Sequence, residues 1–174
     1  DITLPPLMEK KLNNDHAMFT QFALPHLPFC NRQFKLIVCS EVIEHLPTKE
    51  MQKSAIKSMA SCLSKGGYLI LTTPNPSSPY AIIRNAVLTT VEAIGYHDRG
   101  REEQLIENWI EPRRLNVIIS QHLEVVERRG SAYTIPGFGT GLEDLLRPVS
   151  DYLTAAQFAP TLGLYQYFVA RKVG

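Results

Sequence analysis

The sequence is poor in cysteine, and its three cysteines form no recognisable pattern. Cys30, Cys39 and Cys62 are odd in number, and none belongs to a C-x-x-C pair. A disulfide framework needs paired cysteines, and structural zinc sites usually take closely spaced ligands of that kind. The sequence therefore favours reduced thiols in a cytoplasmic protein.

Long apolar runs and an excess of charge are also lacking. No apolar stretch approaches the roughly 20 residues that span a bilayer, so we expect no membrane partner. The formal net charge is +1 and there is no basic stripe, which argues against nucleic acid as a partner. A chain of 174 residues with a hydrophobic fraction of 44% predicts one globular domain over residues 1–174.

One stretch, residues 34–46, carries much of the information that is present. It opens with an apolar run over residues 36–38, too short for a buried helix and typical of a parallel strand covered on both faces. Four polar side chains follow, Ser40, Glu41, Glu44 and His45. Ligands of open α/β sheets bind beyond the carboxyl ends of the strands, so we expect this stretch to supply a central strand and the chemistry at its tip.

A helix and a second strand follow this stretch. Thr48 is the predicted N-cap, and apolar residues then recur at helical spacing over residues 51–63. Gly66 and Gly67 predict the end of that helix, and residues 68–73 predict the next buried strand. Strand, helix and strand at this spacing are typical of a parallel crossover unit.

The remaining elements are weaker. The patterns predict helices at 5–13, 77–94, 111–120 and 142–158, the last broken near Pro148, strands at 18–22, 123–128 and 164–170, and a polar loop at 96–104. Residues 137–141 have the letters of a G-x-G-x-G nucleotide loop. Pro136 stands where a strand should lead into such a loop, so we do not interpret it as one.

Two motifs together carry a family resemblance. F-K-L-I-V-C-S-E-V-I-E-H-L at 34–46 and L-S-K-G-G-Y-L-I-L-T-T-P-N at 63–75 resemble class I methyltransferases that use S-adenosylmethionine. They look like the family's fourth strand, with the loop at the methionine end of the cofactor, and its fifth strand. The ubiquinone-type O-methyltransferase branch looks most similar. The resemblance implies an α/β Rossmann-like sheet, mostly parallel, with an antiparallel last strand between the two preceding strands.

The resemblance also implies S-adenosylmethionine as cofactor and a set of contacts to it. Asp1 matches an acid that hydrogen-bonds the ribose hydroxyls. Ala23 stands where the family often has an aspartate that accepts from the adenine amino group. A methyl group cannot accept that hydrogen bond, so we expect apolar contact there, with Leu24 the nearest neighbour. The strand tip supplies the other implied contacts, Cys39, Ser40 and Glu41.

The family's first strand and glycine-rich loop have no counterpart in this sequence. We expect the sequence to be part of a longer protein that supplies them. Expressed alone, the 174 residues are expected to aggregate or form a homodimer along the open edge of residues 34–39, and not to bind the cofactor. Ala23 and the unmatched loop keep an alternative open, a non-catalytic methyltransferase-like module or subunit.

Methyl transfer to a hydroxyl or amine requires an aligned acceptor and a group that removes a proton. His45 is the candidate base, because imidazole titrates near neutral pH. Glu41, four residues earlier, would lie on the same side of one helical turn. We predict both as catalytic residues acting on oxygen or nitrogen of a small-molecule acceptor. The alternative for Glu44 and His45 is that they brace the next helix.

Two further alternatives are weaker. The Glu41-x-x-Glu44-His45 pattern also resembles the metal site of small-RNA 2′-O-methyltransferases, whose later histidine would be His97 or His122. Neither histidine stands in that family's local pattern, so no metal is predicted. A nicotinamide-dependent dehydrogenase is a distant third, because the E-V-I-E-H-L motif does not fit one.

Overall fold

The computed structural model describes residues 20–29, 31–93, 108–133, 140–156 and 160–174. Strands and helices in these ranges are β1 (Phe34–Ser40), α1 (Lys49–Cys62), β2 (Leu63–Pro74), α2 (Pro79–Ala93), α3 (Pro112–Ser120), β3 (Glu124–Ser131), α4 (Thr140–Ala155) and β4 (Tyr165–Arg171). Two short 3-10 turns are Ile43–His45, after β1, and Pro160–Leu162, before β4. Several predicted features lie outside the described residues: Asp1, the helix at 5–13, the loop at 96–104 and most of the G-x-G-x-G stretch at 137–141.

The strands form one sheet in the order β1-β2-β4-β3. β1 and β2 are parallel, while β4 is antiparallel to both of its neighbours, β2 and β3. The predicted mostly parallel sheet, with an antiparallel last strand between the two preceding ones, is confirmed. Ser40 at the end of β1 pairs with Thr72 near the end of β2, so the carboxyl ends of these strands lie side by side.

A side-chain cap starts α1 as the sequence predicted, and a second one starts α2. The Thr48 hydroxyl accepts a hydrogen bond of 3.2 Å from the backbone N–H of Met51 at the start of α1. The Ser78 hydroxyl accepts one of 3.1 Å from the N–H of Ala81 at the start of α2. No helix in the described part of the chain combines the length and apolar character that a membrane span requires.

The hydrophobic core lies on one face of the sheet, where α1 and α3 pack. Its fully buried side chains include Ile56 of α1, Leu69 and Leu71 of β2, Leu115 and Ile119 of α3, and Phe168 of β4. Side chains alternate between the faces of a strand, so the neighbouring residues of β1 and β2 point the other way. Leu36, Val38 and Tyr68 are exposed there.

The prediction that β1 is covered on both faces is wrong for the described part of the chain. Leu36 is 53% exposed and Val38 is 61% exposed. β1 is the edge strand of the described sheet and has a helical layer against one face only. An apolar run indicates what a strand can bury, but the neighbouring elements decide what is buried.

The predicted end of α1 is also wrong. The helix ends at Cys62 and β2 begins at the next residue, so Gly66 and Gly67 lie inside the strand. Gly66 adopts a φ of +77°, and a Cβ on Gly67 would stand 3.0 Å from the carbonyl oxygen of Phe34. The two glycines therefore permit the irregular start of β2, where its register against β1 shifts.

Two smaller corrections concern α4 and residues 20–22. The helix α4 continues through Pro148, where a break was predicted. A proline removes one helical hydrogen bond, and here the turns on both sides of it still form. Residues 20–22, the described part of the strand predicted at 18–22, are not in a strand. A strand needs a partner for its backbone groups, and no described strand pairs with these residues.

Candidate functional site

The turn that follows β1 begins with a left-handed residue. Glu41 has a φ of +51°, a conformation that costs energy for a residue with a Cβ. Its backbone N–H donates to the carbonyl oxygen of Thr72 at 3.1 Å. The parallel pairing of β1 and β2 therefore continues by one bond past the end of β1, and this bond helps to hold Glu41 in the turn.

A chain of hydrogen bonds joins three side chains at these strand ends. The Thr72 hydroxyl donates to Oε1 of Glu41 at 2.8 Å. The Ser40 and Thr72 hydroxyl oxygens are also 2.8 Å apart. A hydroxyl has one proton to donate, so Ser40 donates to Thr72 while Thr72 donates to Glu41.

Glu44 lies in the same turn but faces the interior. It is 2% exposed, and its Oε2 accepts a 2.9 Å hydrogen bond from the hydroxyl of Thr73. Its Oε1 lies 3.9 Å from Nε2 of His45, whose side chain is 54% exposed. Glu44 therefore links β2 to the imidazole at the surface.

The surroundings of Glu41 perturb its acidity. Burial raises the pKa of the Glu41 carboxyl above its ordinary value of 4.5, and the charge and hydrogen bond of Glu44 raise that pKa further. The hydrogen bond from Thr72 and the charge of His45 oppose this rise.

A tyrosine from β4 faces the same carboxylates. The pKa of Tyr165 is raised, first by burial and then by the negative charge of Glu41, with smaller contributions from Tyr167, Tyr80 and Glu44. Tyr165 pairs with Pro74 at the end of β2. The sheet therefore brings a phenol to the end where Glu41 lies.

A segment distant in sequence fastens the turn from the other side. The Asn108 side chain donates to the carbonyl oxygens of Leu46 at 2.9 Å and Pro47 at 2.8 Å. The Asn108 backbone N–H donates to the carbonyl oxygen of Glu44 at 2.7 Å.

Gln52 of α1 is a second anchor of the turn. Its buried side chain donates to the carbonyl oxygen of Ile43 at 3.2 Å and to that of Asn108 at 2.7 Å. These bonds fix the main chain that presents Glu44 and His45.

An apolar cavity of about 600 Å³ lies beside the turn, along β1. Four of the predicted site residues line it, Ala23, Leu24, Cys39 and His45. Burial, followed by the charges of Glu44 and Glu41, raises the pKa of the Cys39 thiol to about 11. Cys39 is therefore a neutral thiol in the cavity wall at physiological pH.

Ser40 and Glu41 do not line this cavity. Both side chains form hydrogen bonds with the Thr72 hydroxyl instead. The expected helical turn between Glu41 and His45 is wrong. The 3-10 turn spans Ile43–His45 only, and Glu41 before it is left-handed. His45 still lies close enough for its charge to act on Glu41. Asp1 lies outside the described residues.

The metal-site alternative finds no support in the described residues. No group of three His, Cys, Asp or Glu side chains there could hold a metal ion. His122 follows the end of α3, where burial and then the charges of Lys57 and Lys172 lower the pKa of its imidazole. Lys172 lies just past the end of β4, and its backbone hydrogen-bonds to Gly66 and Gly67 in the first half of β2. His122 is therefore at the opposite end of the sheet from Glu44, and His97 is outside the described residues.

The sequence reasoning missed the residues that hold the turn. Thr72 and Thr73 were assigned only as strand residues, and Gln52 and Asn108 were not considered. One available signal was the pair of hydroxyl residues at the end of a buried strand, where apolar residues are expected. Gln52 was another, because this polar side chain lies on the buried face of α1 beside Ala55 and Ile56.

A family model described as a methyltransferase domain matches residues 4–129. No curated protein matches the chain significantly. Among solved structures, an S-adenosylmethionine-dependent methyltransferase from Methanosarcina mazei superposes with a TM-score of 0.56 at 15% identity, covering 85% of this chain and 63% of that one.

Two other structures give similar values. An S-adenosylmethionine-dependent methyltransferase from Thermotoga maritima has a TM-score of 0.52 at 15% identity, with 84% of this chain and 60% of that one covered. The [4+2]-cyclase SpnF has a TM-score of 0.58 at 14% identity, with 97% and 60% covered. At these identities the likeness is one of fold. The chain spans between 60% and 63% of the length of these three proteins.

Proposed function

The chain belongs to the family of methyltransferase domains, and from this we propose that its protein is an S-adenosylmethionine-dependent methyltransferase. We propose oxygen or nitrogen of a small molecule as the acceptor, and the ubiquinone-type branch as the nearest relatives. The observation that supports this best is the apolar cavity along β1. His45 lines the cavity and also belongs to the cluster of carboxyl, hydroxyl and imidazole groups at the carboxyl ends of β1 and β2.

The chemistry of the cavity fits the adenosine part of the cofactor. Its walls are mostly aliphatic and aromatic, as a planar base requires, and Ala23 and Leu24 offer contact without a hydrogen bond. Cys39 stays neutral, so no thiolate competes as a nucleophile in the wall. When bound, S-adenosylmethionine supplies a methyl group activated by a sulfonium.

His45 is proposed as the general base. Its exposed imidazole lines the cavity, with Nε2 3.9 Å from Oε1 of the buried Glu44. Glu41 is proposed to hold the acceptor, because its carboxylate faces the strand ends and is fixed by Thr72. Ser40 extends that polar surface. Residue positioning of this kind aligns the reacting atoms for an in-line displacement.

Calorimetric titration of the natural protein with S-adenosylhomocysteine tests the cofactor assignment. We expect saturable heat, and His45→Ala should keep that binding while lowering the rate of methyl transfer about 100-fold or more, the usual effect of losing a general base. His122→Ala is the matched control, since His122 lies at the far end of the sheet. Absence of heat at protein concentrations near millimolar would contradict the proposal.

A non-catalytic methyltransferase-like module is the second candidate. Ala23 at the cavity wall favours it, because the wall offers no carboxylate to the adenine amino group at that position. The same titration decides between the two, since a module of this kind would bind no cofactor. A cytoplasmic location and a homodimer remain proposals that rest on the cysteine content and on the open edge of β1.

A further inference from the structure

The two threonines at the end of β2 face opposite sides of the sheet and hold different carboxylates. The hydroxyl of Thr73 donates to Glu44 on the core side. The hydroxyl of Thr72 donates to Glu41 on the other side, next to Ser40. Adjacent residues of a strand point to opposite faces, so one strand end can hold both glutamates of the turn.

Thr72 holds Glu41 at two places. Its carbonyl oxygen accepts the Glu41 backbone N–H at 3.1 Å, and its hydroxyl binds the Glu41 carboxylate at 2.8 Å. Glu41 has a φ of +51°, which a residue with a side chain keeps only when its surroundings hold it there. Thr72 itself is 6% exposed and is fixed in β2 between β1 and β4.

We propose that Thr72 is a positioning residue for methyl transfer, which orders the Glu41 carboxyl group toward the acceptor. The proposal rests on the function proposed above for Glu41. Ser40 supports Thr72 by donating to its hydroxyl oxygen, which leaves the Thr72 proton free to point at Glu41. Thr73 is not part of this proposal, because its hydroxyl donates to the buried Glu44 and not to Glu41.

The ionisation of Glu41 gives this proposal a direct readout. Burial and Glu44 raise the pKa of Glu41, while the Thr72 hydrogen bond and the charge of His45 lower it. Tyr165 from β4 and Cys39 from β1 also lie within reach of its charge. Removal of the Thr72 hydroxyl takes away a hydrogen bond to the charged form, so the pKa of Glu41 should rise.

The experiment compares Thr72→Val, Thr72→Ser and Thr73→Val in the natural protein. Carboxyl carbon NMR of labelled glutamate, with Glu41 assigned through Glu41→Gln, follows its titration without any need for activity. Thr72→Val should raise the pKa of Glu41 and move the acidic limb of kcat/KM to higher pH, and Thr72→Ser should restore both. Loss of a hydrogen bond to a charged group predicts a fall in kcat/KM of about tenfold or more in Thr72→Val.

Thr73→Val is the matched control, with the same substitution one residue further along the strand. It should lower the midpoint of urea unfolding and shift the titration of Glu41 less than Thr72→Val does. An unchanged Glu41 titration in Thr72→Val overturns the inference, whatever the activity. Absence of S-adenosylhomocysteine binding in the unmodified protein instead contradicts the proposed function, so the two failures are distinguishable.

Discussion

At the scale of single residues, Glu41 combines a left-handed backbone with a carboxyl that resists ionisation. Burial raises its pKa above 4.5, so the folded protein binds the Glu41 proton more tightly than the unfolded chain does. Its contribution to stability is therefore fully present below the unfolded pKa and is lost as pH rises through the folded pKa. A functional group that opposes folding at neutral pH is typical of an active site.

Glu41→Gln should therefore stabilise the protein at pH 7 relative to pH 4. The amide cannot ionise, so the variant escapes the loss of stability that the carboxylate causes at higher pH. Urea unfolding of both proteins between pH 4 and pH 7 measures the difference. Glu124→Gln, a change at an exposed glutamate of β3, should show no such trend. An equal difference for Glu41→Gln at both pH values would contradict the assignment.

The sequence predicted the polar cluster of the turn but not the residues that support it. Ser40, Glu41, Glu44 and His45 are close in sequence, so a strand followed by a tight turn was enough to group them. Thr72 and Thr73 bind carboxylates that are 31 and 29 residues away. Those partners depend on the register of β2 against β1, which the residue pattern of neither strand specifies.

At the scale of elements, local signals predicted the starts of α1, α2 and α3 to within two residues and the end of α3, but not the end of α1. The beginnings of α1, α2 and α3 follow from a capping hydroxyl or a first-turn proline, both of which act within a few residues. The end of α1 depends on where β2 starts to pair with β1. That pairing is tertiary, so Gly66 and Gly67 were assigned to the wrong element.

The side chain of Gln52, which joins α1 to the segment before α3, is the clearest target at this scale. Gln52→Leu keeps a similar side-chain size but removes the donor to the carbonyl oxygen of Asn108 and one of two donors to that of Ile43, which keeps the Leu46 N–H. We expect a loss of about 1–3 kcal/mol in the free energy of unfolding, the usual cost of one acceptor left unpaired in the interior. Urea denaturation measures this loss.

Gln121→Leu is the control for that change, because Gln121 is exposed just after α3. Hydrogen exchange should also quicken at the backbone N–H of Asn108, whose bond to Glu44 depends on the same link. A Gln52→Leu variant as stable as the unmodified protein would mean that the Asn108 carbonyl finds another partner. The turn would then be held mainly by the side chain of Asn108.

At the scale of the whole molecule, the topology of the sheet was predictable and its covering was not. The order of elements and the family resemblance together specified the antiparallel position of β4. The exposure of Leu36 and Val38 could not be derived, because an apolar run has the same pattern whether one face or both are covered. The described structure thus leaves β1 with an unpaired edge and an apolar face.

These features predict that the 174 residues, expressed on their own, associate through β1. An edge strand with exposed apolar side chains offers unpaired backbone groups to a second copy, and a net charge of +1 gives little repulsion. Size-exclusion chromatography with light scattering should show dimers or larger species at micromolar concentration. Val38→Lys places a charge on that strand and should shift the protein toward monomer, whereas Val117→Lys, at a position of α3 that is similarly exposed, should not. A monomeric, cooperatively unfolding chain without any substitution would mean that other residues of the chain cover the β1 edge.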